Sequence, residues 1–236
     1  MKKANPHLDC QFCDARFKSV FCDLTKDEVS ELNEQKGCAT YKKGQDIFKQ
    51  ESYPHGIYCI NAGKVKLFQL AENGREQIVR LAKSGDLLGY RALLGGEKYT
   101  STAEAIEETS ICFIPKQLFF KFVETNNAIT LQVMKMLSND LKNAEHKITD
   151  LAQKPVKERM SEAILFVKEV YGFEKDNATL NVVLTREEIA NIAGTATETA
   201  IRILAELKED GILEFIGKKI KVLKINELLH SANLSD

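Results

Sequence analysis

A chain of 236 residues, of which 44% are hydrophobic and 28% charged, has the composition of a globular protein and the length for two modest domains. Its net charge of −1 gives no general attraction to nucleic acid, which excludes a histone-like protein that coats DNA. The N-terminus shows no apolar signal segment and no apolar run is long enough to cross a membrane, so we expect a cytoplasmic protein with no membrane partner.

Between Tyr41 and Pro115, short β-rich segments alternate with glycine turns. Gly63, Gly74 and Gly85 stand at even intervals, and apolar residues alternate with polar ones between them. Regular turns around alternating segments predict an antiparallel β-roll, or jelly roll. We therefore expect a β-roll sensor domain over residues 26–125, preceded by a cysteine-containing segment over residues 1–25.

Helical periodicity replaces the strand pattern from about Lys116. After one short helix, apolar residues three or four apart continue from Ile129 to Leu151. This spacing predicts a long helix over residues 126–152 with a coiled-coil-like seam. Such a helix can pack on the β-roll or pair with a second copy of itself. The Lys154-Pro155 step predicts a hinge, because the residue before a proline disfavours helical geometry.

The last predicted domain, residues 153–236, contains the pattern of a winged helix-turn-helix. Thr185 is a predicted N-cap, and Gly194 ends the helix that follows after about two turns. Thr195 or Thr197 can cap a second helix. Two short strands around a Gly217-Lys218 turn complete the pattern.

Glu198 and Arg202 lie four residues apart on the predicted solvent-facing side of the second helix. An arginine can donate to both acceptors of a guanine in the major groove, and a glutamate can accept from a cytosine. A pair at this spacing is also a common surface ion pair on any helix. Within the whole pattern we interpret the pair as DNA-binding. The predicted DNA-contacting residues are Arg186, Thr195, Thr197, Glu198, Thr199, Arg202 and Lys218.

A β-roll, a long helix and a C-terminal winged helix-turn-helix, in this order, resemble the Crp/Fnr superfamily of bacterial transcription regulators. The resemblance extends over about residues 20–230 and is most specific in LTREEIANIAGTATETAIRILAELKEDGIL. It implies an α+β fold with a cyclic-nucleotide-binding-domain-like β-roll and a dimerisation helix. It further implies a homodimer that recognises a palindrome in double-stranded DNA and is controlled allosterically through the β-roll, with RNA polymerase as its protein partner.

The resemblance also assigns roles to residues of the second helix. In the family, the residues that match Glu198 and Arg202 contact a TGA half-site core. An arginine at the position of Thr197 would indicate a half-site of the catabolite-activator type. Because threonine cannot make that contact, we expect a half-site closer to TTGA.

Members that bind cyclic nucleotides hold the ribose with a Gly-Glu-Leu segment and the phosphate with an Arg-Ser/Thr pair. The matching residues here, the predicted effector pocket, are Gly85, Asp86, Leu87, Thr100, Ser101 and Thr102. The phosphate arginine is absent, and Arg91 comes too early in the segment to replace it. A buried phosphodiester needs a compensating cation or aligned N–H donors, so we do not expect cyclic AMP as the effector. A different small ligand is still consistent with the sequence as the effector.

The cysteines resemble those of the family's oxygen-sensing branch, where three N-terminal cysteines and one late cysteine of the β-roll hold a [4Fe–4S] cluster. The matching residues are Cys10, Cys13, Cys22 and Cys112, and four thiolates are the ligands that such a cluster requires. The spacing departs from the branch, because eight residues separate Cys13 from Cys22 where the branch has five.

Other interpretations of the cysteines remain open. A CxxC pair near a terminus can bind zinc, form a redox pair or have no function. Cys112 alternates with apolar neighbours, as Cys38 and Cys59 do, which is typical of small core residues. In the oxygen-sensing branch an acidic residue on the long helix opposes pairing, whereas Ala144 occupies that position here, so we predict a dimer in air without metal.

Two further classes of function are less consistent with the sequence. One is a cyclic-nucleotide-type regulatory subunit that binds a small ligand without a DNA role, which the helix-turn-helix disfavours. The other is an enzyme, which we do not expect, because the sequence has no P-loop or nucleophile elbow. The four histidines, which show no ligand or triad spacing, are His7, His55, His146 and His230.

Overall fold

The computed structural model describes residues 9–72 and 74–234, which form two compact units. The N-terminal unit contains the chain up to Leu70 together with Arg80–Lys142. The C-terminal unit contains Ala71–Val79 together with the chain from Asn143 onward. Residues 1–8 of the predicted N-terminal segment, His7 among them, lie outside the described residues. The predicted domain boundaries stay predictions.

The N-terminal unit begins with a 3-10 turn over Cys10–Phe12 and one helical turn, α1, over Asp14–Phe17. Helix α2, Lys26–Gln35, starts at a capping box, in which the side chains of Thr25 and Glu28 each accept a hydrogen bond from the other's backbone amide. The remaining elements, in chain order, are β1 Gly37–Tyr41, β2 Asp46–Phe48, β3 Gly56–Ala62, β4 Lys64–Leu70, β5 Glu76–Lys83, β6 Leu87–Leu88, α3 Tyr90–Gly95, β7 Thr102–Ala105 and β8 Thr109–Pro115. The first residues of β5, up to Val79, belong to the C-terminal unit.

The eight strands form two four-stranded sheets. One has the order β1-β8-β3-β6 and the other the order β2-β7-β4-β5. A buried cluster with members from both sheets contains Phe48 and Tyr99, and the partly buried Tyr58 packs against it. Phe48 stacks on Tyr99 with ring centroids 3.9 Å apart. Two facing antiparallel sheets with this shared core confirm the predicted β-roll.

Two helices follow the β-roll. Helix α4 covers Lys116–Thr125, and α5 covers Asn127–Gln153. The Asn126 side chain accepts hydrogen bonds from the first amides of α5, which satisfies donors that a helix start leaves free. Ile129 and Val133 of α5 are buried in the core of the N-terminal unit.

The C-terminal unit carries the predicted winged helix-turn-helix. Its elements are α6 Val156–Tyr171, α7 Arg186–Ala193, α8 Thr197–Glu209, β9 Leu213–Ile216, β10 Lys219–Val222 and α9 Ile225–Ser231. Helix α7 starts at a second capping box, formed by Thr185 and Glu188. Strands β9 and β10 pair antiparallel as the wing. The fold therefore matches the predicted α+β architecture from the β-roll to the wing.

The cap of α8 differs from the prediction. Its N-cap is Ala196, without a side-chain hydrogen bond, and not Thr195 or Thr197. The amide of Thr195 instead donates to the Ala190 carbonyl and completes the end of α7. Since Thr195 closes one helix, the extended residue that starts the next one is Ala196.

None of the described helices is both long and apolar enough to span a membrane.

Candidate nucleic-acid interface

One side of α8 is buried and the opposite side faces solvent. The residues that pack inward are Ala200, Ile203, Leu204 and Leu207. The exposed side, which we call the recognition face, consists of Glu198, Ile201, Arg202 and Ala205. A helix in a major groove presents one such face to the base edges.

Arg202 forms an ion pair with Glu206, one turn further along α8, and not with Glu198. The surface ion pair that the sequence left open between Glu198 and Arg202 is therefore absent. Glu206 also lies 3.7 Å from the ammonium of Lys157 on α6. The arginine is held at the end of the recognition face by a carboxylate that has a second cation beside it.

Ile201 also lies on the recognition face, although it was not among the predicted DNA contacts. Its side chain is 52% exposed, which is unusual for an isoleucine. Its position at i+3 from Glu198 and directly before Arg202 would have placed it on the same side of the helix. An apolar side chain on this face is suited to contact a thymine methyl group.

The other predicted DNA contacts lie around α8. Thr197 and Thr199 occupy its first turn, and Lys218 is exposed at the tip of the wing. The guanidinium of Arg186 lies 3.9 Å from the ring centroid of Phe215 in the wing, and burial lowers the pKa of this guanidinium. Arg186 therefore attaches the wing to α7 by a cation–π contact.

The end of α7 is held by side chains from three separate segments. We call this arrangement the carbonyl collar, because its acceptors are the main-chain carbonyls of residues 191–194. Gln77 of β5 donates to the first carbonyl, and Lys147 of α5 donates to the second at 2.8 Å. Arg159 of α6 donates to the last two at 3.1 and 3.3 Å. A helix end leaves these carbonyls free and carries partial negative charge, so the cations are well placed there.

In the N-terminal unit, a partly buried network of hydrogen bonds ties α5 to the β-roll. The Tyr90 hydroxyl donates to the carboxylate of Asp140 on α5. Arg80 donates to the Tyr90 oxygen at 3.0 Å and to the Leu87 carbonyl at 3.3 Å. Burial raises the pKa of Tyr90 above its usual range, so the phenol stays a donor.

The predicted effector residues take part in local packing. A Cβ added to Gly85 would lie 2.8 Å from the Lys18 side chain, so this turn closely contacts the N-terminal segment. The Asp86 carboxylate accepts from the Lys83 amide, and Leu87 is buried in the core. Thr102 accepts from the Gln50 amide. The side chains of Ser101 and Thr102 are buried, and Thr100 is exposed.

Three cysteines lie side by side across neighbouring strands, an arrangement that we call the thiol row. Cys112 on β8 is the direct register partner of Cys38 on β1 and of Cys59 on β3. Directly opposed residues of antiparallel strands share one face of the sheet. The Sγ atoms of Cys38 and Cys112 are 2.8 Å apart.

A buried ammonium lies beside this row. Lys36 donates to the Cys10 sulfur at 2.8 Å. Burial lowers the pKa of Lys36, but its hydrogen bond to Cys10 and the nearby sulfurs of Cys10, Cys112 and Cys38 raise it, and the net shift is upward. The hydrogen bond with Cys38 and burial raise the pKa of Cys112. Burial raises the pKa of Cys59 to about 12.

The structure does not bring the four predicted cluster ligands together. Among the described residues, no group of three or more Cys, His, Asp or Glu side chains is arranged to hold a metal ion. The Cys22 thiol lies beside Asp23, and burial and the Asp23 carboxylate both raise the pKa of Cys22. Cys13 donates to the Asn61 side chain at 3.4 Å, and Cys112 contacts Cys38 instead of Cys22. The residues present do not fit a four-thiolate cluster in this arrangement.

Comparison with known proteins gives both halves of the chain a family. Residues 39–126 match the cyclic nucleotide-binding domain family, and residues 158–231 match the Crp-like helix-turn-helix domain family. The fumarate and nitrate reduction regulatory protein of Vibrio cholerae is 29% identical over 234 residues, which cover 97% of this chain and 92% of the relative. The transcriptional activator protein anr of Pseudomonas aeruginosa is 26% identical over 230 residues, which cover 96% and 93%.

A similar fold is found in FixK2 from Bradyrhizobium japonicum, with a TM-score of 0.74 and 24% identity over 85% of this chain and 98% of that one. The matched domains occur in the order that the β-roll, α5 and the winged helix-turn-helix take here. This chain belongs to the Crp/Fnr family and is a helix-turn-helix transcription regulator similar to Fnr, not an enzyme.

Proposed function

We propose that this regulator works as a homodimer that recognises a two-fold symmetric DNA site with TGA half-site cores. The observation that carries the proposal is the recognition face of α8, which presents Glu198 and Arg202 to solvent one turn apart. A glutamate and an arginine in this arrangement match a cytosine amino group and a guanine edge in neighbouring base pairs. Thr197, in the first turn of α8, favours the TTGA form of the half-site.

An exposed apolar stripe on α5 supports the homodimer. Met134, Leu141 and Ile148 stand seven residues apart and are 59%, 62% and 68% exposed. Leu137 and Ala144 complete a heptad pattern between them. A stripe with this period is typical of a two-stranded coiled coil, and a second copy of α5 is its natural partner. Two-fold protein symmetry would then meet the symmetry of the DNA site.

We propose that control passes from the β-roll to the DNA through α5. The Tyr90–Asp140 hydrogen bond ties α5 to the roll, and Lys147 on the same helix reaches the carbonyl collar. A change in the β-roll that shifts α5 would therefore alter the support of α7 and α8. Such control would couple two sites through one continuous helix.

The effector we propose is neither cyclic AMP nor another cyclic phosphodiester, because the predicted pocket residues supply no arginine for its phosphate. The described cysteines do not form the predicted four-thiolate site, so the proposal gives an iron–sulfur cluster no role. Once bound beside a promoter in the cytoplasm, the dimer would act on RNA polymerase, which remains a proposed partner.

The proposal is tested with the full chain and a fluorescent duplex that carries two inverted TTGA half-sites about 10–10.5 bp apart, centre to centre. We expect Arg202→Ala to lose about 1–3 kcal/mol of binding free energy at each half-site, which is roughly 5- to 150-fold in affinity per half-site. Arg202→Lys is the matched control. It keeps the charge but not the two parallel donors, so it should retain non-specific binding and lose the preference over a scrambled duplex.

Equal binding of the wild-type protein to both duplexes would contradict the proposed half-site. Unchanged affinity in Arg202→Ala would contradict the role of the recognition face.

A further inference from the structure

The thiol row contains two sulfur atoms that are closer than ordinary packing requires. Non-bonded carbon atoms rest about 3.5–4.0 Å apart, and sulfur is larger than carbon. The Sγ atoms of Cys38 and Cys112 are 2.8 Å apart, whereas a disulfide bond measures about 2.0 Å. A small movement of either side chain would bring the two sulfur atoms to the length of a disulfide bond.

The backbone at this pair is also suitable. Cys38 and Cys112 are direct partners in the antiparallel ladder of β1 and β8. The Cα atoms of such partners lie about 4.5–5.5 Å apart, within the range of about 4.4–6.8 Å that disulfides span. A bond between them would therefore require no rearrangement of the sheet.

We propose that Cys38 and Cys112 are a dithiol site that a low-molecular-weight disulfide, such as oxidised glutathione, converts reversibly into a cross-strand disulfide. This site shares only Cys112 with the predicted cluster ligands, because Cys38 is not among them. It also excludes them, since Cys112 cannot serve as a metal thiolate while it is bonded to Cys38.

The two cysteines have different exposures, which assigns the order of the steps. Cys38 is partly exposed on an edge strand of its sheet, whereas Cys112 is buried on the adjacent strand. The Cys38 sulfur, as the thiolate, attacks one sulfur of the oxidant and displaces the first thiolate. Cys112 then gives up its proton and attacks the Cys38 sulfur of the mixed disulfide, which displaces the second. Two protein thiols lose two electrons and two protons, and one oxidant disulfide becomes two thiols.

Cys59 is the alternative partner, because it also pairs in register with Cys112. Three observations favour Cys38. The short sulfur contact joins Cys112 to Cys38, Cys59 is almost fully buried, and β3 is an inner strand of the sheet whereas β1 is at its edge. An oxidant would therefore reach Cys38 first.

The test uses the full chain, reduced with dithiothreitol, desalted and equilibrated anaerobically with oxidised and reduced glutathione. Free thiols are then blocked with N-ethylmaleimide, and tryptic peptides are mapped by mass spectrometry without reduction. Trypsin releases the three cysteines in separate peptides, residues 37–42, 50–64 and 99–116. We expect peptide 37–42 linked to peptide 99–116, two hydrogens lighter than their sum, with blocked thiols falling from six to four.

Dithiothreitol added before blocking should restore all six thiols. Cys38→Ser and Cys112→Ser should each abolish the link. Cys22→Ser and Cys59→Ser are the matched controls and should leave it unchanged.

Other outcomes overturn the proposal. A link between peptides 50–64 and 99–116 would assign the disulfide to Cys59. A stable glutathione adduct on Cys38 would show that Cys112 does not complete the second step. Six blocked thiols after exposure to oxidised glutathione would show that the pair does not oxidise at all. Because the wild-type chain alone gives these results, a variant that fails to fold does not affect the test.

Discussion

The apolar stripe on α5 makes a quantitative prediction for Leu141→Asp. Burying a whole leucine side chain contributes about 1.5–3 kcal/mol. Leu141 is 62% exposed in one chain, so covering both copies in a dimer would contribute roughly 2–4 kcal/mol. The substitution removes this contribution and places two like charges at the seam. We expect the dimer dissociation constant to rise by roughly 30-fold or more, since about 1.4 kcal/mol corresponds to tenfold.

Sedimentation velocity at micromolar concentration measures this change directly. The wild-type chain should sediment as a dimer and Leu141→Asp as a monomer, with circular dichroism to show that both are folded. His146→Asp is the matched control, because His146 is exposed on the same helix but lies roughly 140° around it from Leu141. A dimeric Leu141→Asp, or a control that dissociates equally, would refute the assignment of the stripe as the dimer seam.

Three further predictions concern the DNA-binding half of the chain. Glu206→Gln should raise the affinity for the TTGA duplex by a few-fold, because an exposed ion pair of about 0.2–1 kcal/mol no longer holds Arg202. Glu209→Gln makes the same change of charge without that contact and should have a smaller effect in the same anisotropy assay. Replacing thymine by uracil in the half-sites should weaken binding of the wild-type protein by roughly fourfold for each buried methyl group, which contributes about 0.8 kcal/mol. The same replacement should leave the affinity of Ile201→Ser unchanged. Equal losses of affinity in both proteins would exclude the methyl contact. Burial lowers the pKa of Lys147 below 10.5, so the unfolded chain holds this proton more tightly and the contribution of Lys147 to the free energy of unfolding should rise as the pH increases through the folded pKa toward 10.5. Lys147→Met should lack this rise in urea unfolding series, and parallel curves would contradict the shift.

The elements of the winged helix-turn-helix could be predicted because their signals are local. Thr185 caps α7 and Gly194 ends it within a few residues of each other, and the wing turns at Gly217. The exception, the cap of α8, arose where two helices compete for one residue. Thr195 has the side chain of a cap, but its amide closes α7.

The thiol row could not be predicted, because it depends on the register of three strands. Cys38 and Cys112 are 74 residues apart in the chain, and their alternation with apolar neighbours indicates only that they belong to strands. The predicted ligand Cys22 shows the reverse case. It matched a family pattern in sequence, but the structure places its thiol beside the carboxylate of Asp23.

The carbonyl collar has a consequence for how such a regulator can diverge. The hydrogen bonds that Gln77, Lys147 and Arg159 donate to residues 191–194 all end on main-chain oxygens. Every amino acid presents the same carbonyl, so substitutions in this turn that keep its backbone leave the attachment unchanged. Substitutions that change the DNA specificity can therefore accumulate on α8 while the hydrogen bonds of the carbonyl collar stay the same. A chimaera that takes its recognition helix from a distant relative should retain its control, provided that these three donors are kept.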